Sequence, residues 1–140
     1  MVRSHKELIC WQLCAQLRGL ALKYIRYGPA NKDFRFREQM RAAIRSSCYQ
    51  TSEGFYSFKH GVFARYLDGA YASLGEALDQ IDDGHEQQYF TEDQQIEMRR
   101  LARRAMKANR GLVTWLRNNP DPPSTSSTTR TPRTPRTPRT

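Results

Sequence analysis

Six cationic side chains share one face of the fourth helix that the sequence predicts. At about 100° per residue they fall within an arc of about 140°. Because Lys and Arg supply most of the contacts that proteins make to phosphate backbones, this face is our main candidate for contact with RNA or DNA. The six residues are Arg99, Arg100, Arg103, Arg104, Lys107 and Arg110.

A second basic ridge lies on the second predicted helix, where Arg37, Arg41 and Arg45 follow one another at four-residue steps. Like charges at this spacing destabilise an isolated helix by about 0.2–0.5 kcal/mol per pair, so a partner is expected. Phosphates are one possible partner, and acidic residues of neighbouring helices or subunits are the other. The acidic candidate lies near the end of the third predicted helix and consists of Glu76, Asp79, Asp83 and Glu86.

Residues that could catalyse a reaction or bind a metal form no recognised arrangement. Cys10 and Cys14 lie one helical turn apart, but no second pair of Cys or His completes a tetrahedral site, so we interpret them as core residues. Asp82 with His85 is as near as the chain comes to the Glu-x-x-His spacing of a di-iron bundle. Phosphate-binding Gly-rich loops and nucleophile motifs are missing. We therefore expect no catalytic residue, no metal, no cofactor and no enzymatic activity.

Helical periodicity recurs in four segments, which are separated by residues that typically begin or end helices. Capping boxes are predicted where Ser4 precedes Glu7 and where Thr91 precedes Gln94. We expect Gly54 to end the second helix in the left-handed conformation. The predicted helices run from Ser4 to Gly28-Pro29, from Asn31 or Asp33 to Gly54, over about 62–83, and from Thr91 to just before Pro120.

Apolar spacing indicates which helix faces point inward. On the second helix we expect five residues to point inward, namely Phe36, Met40, Ile44, Ser47 and Thr51. On the third helix we expect six residues on the apolar side, namely Phe63, Leu67, Ala70, Leu74, Leu78 and Ile81. The fourth helix places Met98, Leu101, Ala105, Ala108, Leu112 and Trp115 at steps of three and four, so we expect Trp115 in a packed seam. Further apolar residues widen this face, which suggests burial on two sides and hence self-association. The connection from Phe55 to Gly61 mixes aromatic and cationic residues; base stacking is one use for it, and closing one end of the bundle is the one we favour.

Length and charge are consistent with one domain. The 140 residues carry a net charge of +9, of which residues 1–118 hold +6. No apolar run reaches the roughly 18 residues of a membrane span, and an odd cysteine count without a leader favours the cytoplasm. We predict an all-α, antiparallel up-down four-helix bundle over 1–118. Residues 119–140 are rich in Pro, Thr and Arg and predict a disordered tail, either solubilising or contacting phosphates.

A set of residues recurs in register along the second and third predicted helices: Gln39-Met40-Arg41, Ala43, Ser46, Glu53-Gly54-Phe55, Phe63, Arg65-Tyr66-Leu67, Ala70, Ser73-Leu74, Glu76 and Gln80. In these residues the chain resembles the four-helix bundle family first noticed inside 23S rRNA intervening sequences. The first helix echoes that family in Lys6, Leu8 and Trp11-Gln12, and the fourth agrees only in pattern. Departures are Ala42, Cys48 and Gln50-Thr51-Ser52.

The resemblance implies an up-down bundle that assembles as a ring, typically a homopentamer, without established enzymatic activity. Similar proteins serve as accessory factors of diversity-generating retroelements, where a basic barrel binds nucleic acid and a reverse transcriptase. We therefore expect a non-enzymatic homo-oligomer that binds RNA or DNA through backbone phosphates. The alternative is an interaction scaffold that presents a basic surface to an acidic protein, such as a reverse transcriptase.

Overall fold

The computed structural model describes residues 2–123 and folds them into four α-helices without a β-strand, which confirms the predicted all-α bundle. Within that range no helix is both long and apolar enough to cross a membrane. Most of the predicted tail, residues 124–140, lies outside the described part. The helices are α1 (Ile9–Arg26), α2 (Phe34–Phe55), α3 (His60–Glu86) and α4 (Glu92–Asn118), with short 3-10 turns at His5–Glu7 and Pro29–Lys32.

Adjacent helices run antiparallel around a four-cornered bundle. At the end of α1, the Tyr24 hydroxyl donates to Glu97 at the start of α4 over 2.5 Å. Near the start of α3, Asp68 accepts from Arg117 at the end of α4 over 2.7 Å. Each of α1 and α3 packs against both α2 and α4. The helices α2 and α4 therefore occupy opposite corners.

The core confirms the predicted inward faces of α2 and α3. Burying such side chains fully contributes about 1.5–3 kcal/mol each for the larger aliphatic and aromatic ones. Ser47 and Thr51 are buried as predicted, and each hydroxyl donates to a carbonyl oxygen of the preceding turn. The remaining predicted residue, Leu78, packs partly buried against the core. The predicted residues that the structure buries are Phe36, Met40, Ile44, Ser47, Thr51, Phe63, Leu67, Ala70, Leu74 and Ile81.

Asp33 begins α2 and also holds the connection between α3 and α4. One carboxylate oxygen accepts from the Phe36 backbone N–H over 3.1 Å, which is an N-cap bond. The other accepts from the Tyr89 hydroxyl over 2.6 Å. Tyr89 first, and then the Phe36 N–H, hold the pKa of Asp33 below its ordinary value. A further predicted cap, the box of Thr91 with Gln94 at the start of α4, is confirmed.

The start of α1 differs from the prediction. Ser4 caps the 3-10 turn by accepting from the Lys6 N–H, and α1 begins only at Ile9. The Glu7 carboxylate accepts from the Arg3 N–H over 3.1 Å, and the Ser4 N–H is not its donor. The predicted capping box is therefore wrong, because the chain tightens into a 3-10 turn before the α-helix begins.

Gly54 lies in the last turn of α2, and its predicted left-handed conformation is wrong. No described glycine has a positive φ. A Cβ at Gly54 would lie 2.7 Å from the Cβ of Tyr66 and 2.8 Å from a ring carbon of Phe63. The glycine is therefore needed for the close approach of α2 and α3. Left-handed backbone occurs instead at Phe58, with φ 58°, and at Gln88, with φ 66°.

The buried face of α4 is rotated about the helix axis relative to the predicted seam, by less than the roughly 100° that separates successive residues. Trp115 is 53% exposed, so its predicted burial is wrong. Asn109 is buried in its place on the inward face and donates to the Leu67 carbonyl oxygen over 2.8 Å. That bond turns α4 toward α3. The buried residues of α4 are Met98, Ala102, Ala105, Asn109, Val113 and Leu116.

The broad apolar face of α4 is used within the bundle. Leu101, Met106 and Ala108 pack partly buried against the main core, and Leu112 packs against a smaller cluster at one end. Since α1 and α3 flank α4, two-sided burial needs no second subunit. The width of this face therefore gives no support to self-association.

We expect Gly84→Ala to lower the free energy of unfolding by about 1–3 kcal/mol, because a Cβ there would overpack the core. It would lie 2.6 Å from a ring carbon of Phe90 and 2.8 Å from one of Phe36. The matched control is Gly75→Ala in the same helix, where no atom lies within 4 Å of the added carbon. Urea denaturation should show the control raising stability by about 0.5–1 kcal/mol; equal gains for both variants would contradict this packing.

Candidate nucleic-acid interface

Two of the six cations on α4 are bound to carboxylates of α3. The guanidinium of Arg99 donates to both oxygens of Asp82, over 2.7 and 2.5 Å. The guanidinium of Arg110 donates to Asp68 over 2.9 Å. Charge-assisted bonds of this length fix both partners, so these two arginines position α4 against α3.

Asp68 is the centre of a larger polar cluster. It accepts from Arg110 and also from Arg117, over 2.9 and 2.7 Å. Partial desolvation disfavours its charged form, but the two arginine hydrogen bonds outweigh this and hold the pKa of Asp68 below its ordinary value. Arg110 further donates to the Asn109 side-chain oxygen and lies over the Tyr71 ring, 4.3 Å from its centroid.

The four remaining cations on α4 point into solvent. Arg100, Arg103, Arg104 and Lys107 are all exposed, and no carboxylate oxygen within residues 2–123 lies within ion-pairing distance of them. We call these four residues the α4 basic ridge. At 1.5 Å per residue the ridge is about 10 Å long, which matches the rise of about three base pairs along the axis of a DNA duplex.

The acidic strip on α3 does not meet the arginines of α4. Its four residues, Glu76, Asp79, Asp83 and Glu86, are exposed, and none forms an ion pair in the described part of the chain. The α3 carboxylates that do form ion pairs are Asp68 and Asp82, and both lie on the side of α3 that faces α4. The strip therefore lies on the outer face of α3, beside the paired residues.

The basic ridge of α2 lies on a different corner of the bundle. Arg37 donates to the Asn31 carbonyl and side-chain oxygens over 3.1 and 3.2 Å, and its guanidinium also lies near Glu38. The Nε atom of Arg41 lies 3.9 Å from the Oε2 atom of the same Glu38. Arg45 is exposed without an ion pair among residues 2–123. Because α2 and α4 occupy opposite corners, the nine predicted residues do not form one surface.

An apolar patch that the sequence did not predict covers one end of the bundle. Phe58 is 79% exposed, and with Val2 and Trp115 it borders a cavity of about 460 Å³. We call these three residues the apolar end patch. Phe55 closes this end of the core as predicted, but Phe58 does not. The sequence predicts Trp115 in the core because its spacing fits the apolar seam of α4.

The three cysteines are buried with free thiols. Burial raises the pKa of Cys10 to about 11. A hydrogen bond from Cys14, aided by Arg18, lowers the pKa of Cys48. Among residues 2–123 no three His, Cys, Asp or Glu side chains converge in a way that could hold a metal ion.

Comparison with known families places the chain in a described family. The family model described as 23S rRNA-intervening sequence protein matches residues 6–111, which include most of the four helices and the whole α4 basic ridge. The match ends before Trp115. No curated protein matches the chain by sequence.

We expect Asp68→Asn to lower the free energy of unfolding by about 1 kcal/mol near neutral pH, since this half-exposed pair is screened by solvent. The loss should shrink as pH falls through the lowered pKa of Asp68, because wild type then also lacks the charge. Urea denaturation at about pH 6, 4 and 3 measures it. Asp79→Asn, on the unpaired strip, should cost nothing at any of these pH values; a constant cost for Asp68→Asn would show that charge is not the cause.

Proposed function

The chain belongs to the 23S rRNA-intervening sequence protein family, and from that premise we propose that it is a non-enzymatic, homo-oligomeric bundle that binds RNA or DNA through backbone phosphates. The contact surface is the α4 basic ridge. One observation carries the proposal: four exposed cations share one helix face and have no carboxylate partner within residues 2–123. Without phosphate, these like charges would only repel one another.

The chemistry of the ridge suits phosphate rather than base edges. Arginine and lysine bind phosphate oxygens regardless of sequence, and the attraction is driven largely by release of counterions from the nucleic acid. The described ridge itself carries no Asn or Gln that would read an adenine. We therefore propose binding without base specificity. Such an activity suits an accessory factor in an rRNA-linked or retroelement setting.

Self-association is proposed through the apolar end patch. Phe58 is largely exposed and has a positive φ. That backbone conformation costs a bulky residue about 1–3 kcal/mol, and such strain is typical of functional positions. The exposed Trp115 ring borders the same cavity. Covering this patch with another subunit would bury both rings. An oligomer would also present several α4 basic ridges to one strand and so raise the overall affinity.

The second candidate function is a scaffold that binds an acidic protein, such as a reverse transcriptase, on the same ridge. A specific contact favours it, because arginines of α4 already bind carboxylates of an antiparallel helix at Asp68 and Asp82. An acidic helix of a partner could bind the outer cations in the same way. The two functions predict different competitors for the ridge: a nucleic acid for the first and an acidic polypeptide for the second.

We expect replacement of the four ridge cations by Gln to weaken binding of single-stranded RNA by about tenfold or more at 50 mM salt, and to flatten the salt dependence by about three units of log–log slope. The assay is fluorescence anisotropy of the full chain at about 50 and 200 mM salt. The substitutions are Arg100→Gln, Arg103→Gln, Arg104→Gln and Lys107→Gln.

Two matched control variants each lose four positive charges at other positions. One carries substitutions at scattered exposed cations and should bind almost as wild type: Lys6→Gln, Lys32→Gln, Arg35→Gln and Lys59→Gln. The other carries Arg130→Gln, Arg133→Gln, Arg136→Gln and Arg139→Gln and measures the tail. Equal losses in all three would mean that net charge alone acts. Competition by polyglutamate as effective as by RNA would favour the scaffold.

We expect light scattering to give a mass several times the 16.3 kDa of the chain, about 82 kDa if the pentamer implied by the family resemblance forms. Phe58→Gly should return the mass to that of one chain, because it removes the exposed ring while glycine accepts the positive φ. Phe34→Ala, which removes a similarly exposed ring on α2, is the control and should keep the oligomer. A wild-type monomer, or dissociation by both variants, would contradict the patch.

A further inference from the structure

A groove between α1 and α2 combines two arginines with two large aromatic rings. It has a volume of about 690 Å³, and Trp11 and Arg18 line it from α1 while Arg45 and Tyr49 line it from α2. No carboxylate lines it. We call it the α1–α2 groove. None of its lining residues belongs to α4, so it is separate from the α4 basic ridge.

The two arginines of the groove have no carboxylate partner in the described part of the chain, and Arg18 lies near the buried Cys48 thiol, whose pKa it helps to lower. Neither Arg18 nor Arg45 forms an ion pair among residues 2–123. The guanidinium of Arg18 lies over the Trp11 ring, 5.9 Å from its centroid. Guanidinium groups from neighbouring helices can bind one phosphate from two sides, and each can donate two parallel N–H hydrogen bonds to its oxygens.

The aromatic rings of the groove are held in different ways. The His5 ring packs edge-on against Trp11, with centroids 4.8 Å apart, and His5 is itself hydrogen-bonded to the Tyr56 hydroxyl over 3.0 Å. This fixes the indole. Tyr49 is 68% exposed and is not part of the core. A base can therefore stack on the exposed Tyr49 ring without displacing core side chains, as bases do on single-strand binding surfaces.

We propose that the α1–α2 groove binds a nucleotide, with its base stacked on Tyr49 in the groove that Trp11 also lines and its phosphate bound by Arg18 and Arg45. The volume lies within the range of small-molecule sites. An aromatic base joined to a phosphate matches this lining of rings and cations without acids. The nucleotide is either free or one unit of a single strand, since both present the same base and phosphate.

The test uses the full chain with Trp115→Phe, which leaves Trp11 as the only tryptophan. Adenosine 5′-monophosphate, adenosine, inorganic phosphate and a short single-stranded RNA are titrated separately while Trp11 fluorescence is followed. We expect saturable quenching by the monophosphate or by the RNA, and binding of adenosine or phosphate alone that is weaker by about tenfold or more. Quenching by both identifies a site for free nucleotide, and quenching by RNA alone identifies a single-strand site.

Arg45→Gln and Tyr49→Ala should each weaken binding by about tenfold, since each removes one exposed partner of the nucleotide. Arg26→Gln is the control, because it removes an exposed arginine of α1 outside the groove. Absence of quenching by every probe, or equal affinity in all variants, would overturn the proposal. The four-fold ridge variant should keep the response to the monophosphate, so failure of the ridge proposal and failure of this one are distinguishable.

Discussion

The charged contact between α3 and α4 is the interaction on which the remaining surface depends. Asp82 binds Arg99, and Asp68 binds Arg110 and Arg117, so the carboxylates define which side of α4 faces its neighbour. The buried amide of Asn109 adds a direct bond to the α3 backbone. Individually, half-exposed pairs of this kind contribute little to stability. Together they set the rotation of α4, and that rotation decides which cations remain free.

The same rotation explains how far the sequence alone could go. On α2 and α3, the apolar positions repeat cleanly and the polar exceptions, Ser47 and Thr51, satisfy their own hydroxyls, so the predicted core is right. On α4, the apolar residues cover too wide an arc to select one inward direction. The choice depends on Asn109, which is polar and would ordinarily be placed outside. Trp115 was therefore assigned to the core, although the structure exposes it.

The binding surface was predictable in composition and not in shape. Six cations on one face of α4 follow from the sequence, but their division into paired and free residues depends on the acids of α3 that face them. Asp68 and Asp82 do so, whereas the more conspicuous acidic strip lies outside. The ridge of α2 was likewise visible in the sequence, but its position opposite α4 requires the packing order of the helices. The α1–α2 groove brings together residues that no local motif connects.

Asp33 couples two parts of the chain that are distant in sequence. Its carboxylate caps the first turn of α2 and also receives the Tyr89 hydroxyl from the connection between α3 and α4. Opening of that connection would therefore deprive the α2 cap of the bond that orients it, and fraying of the cap would release Tyr89. The two segments should open as one cooperative unit, so that hydrogen exchange of the Phe36 amide and of the amides around Tyr89 reports the same free energy of opening.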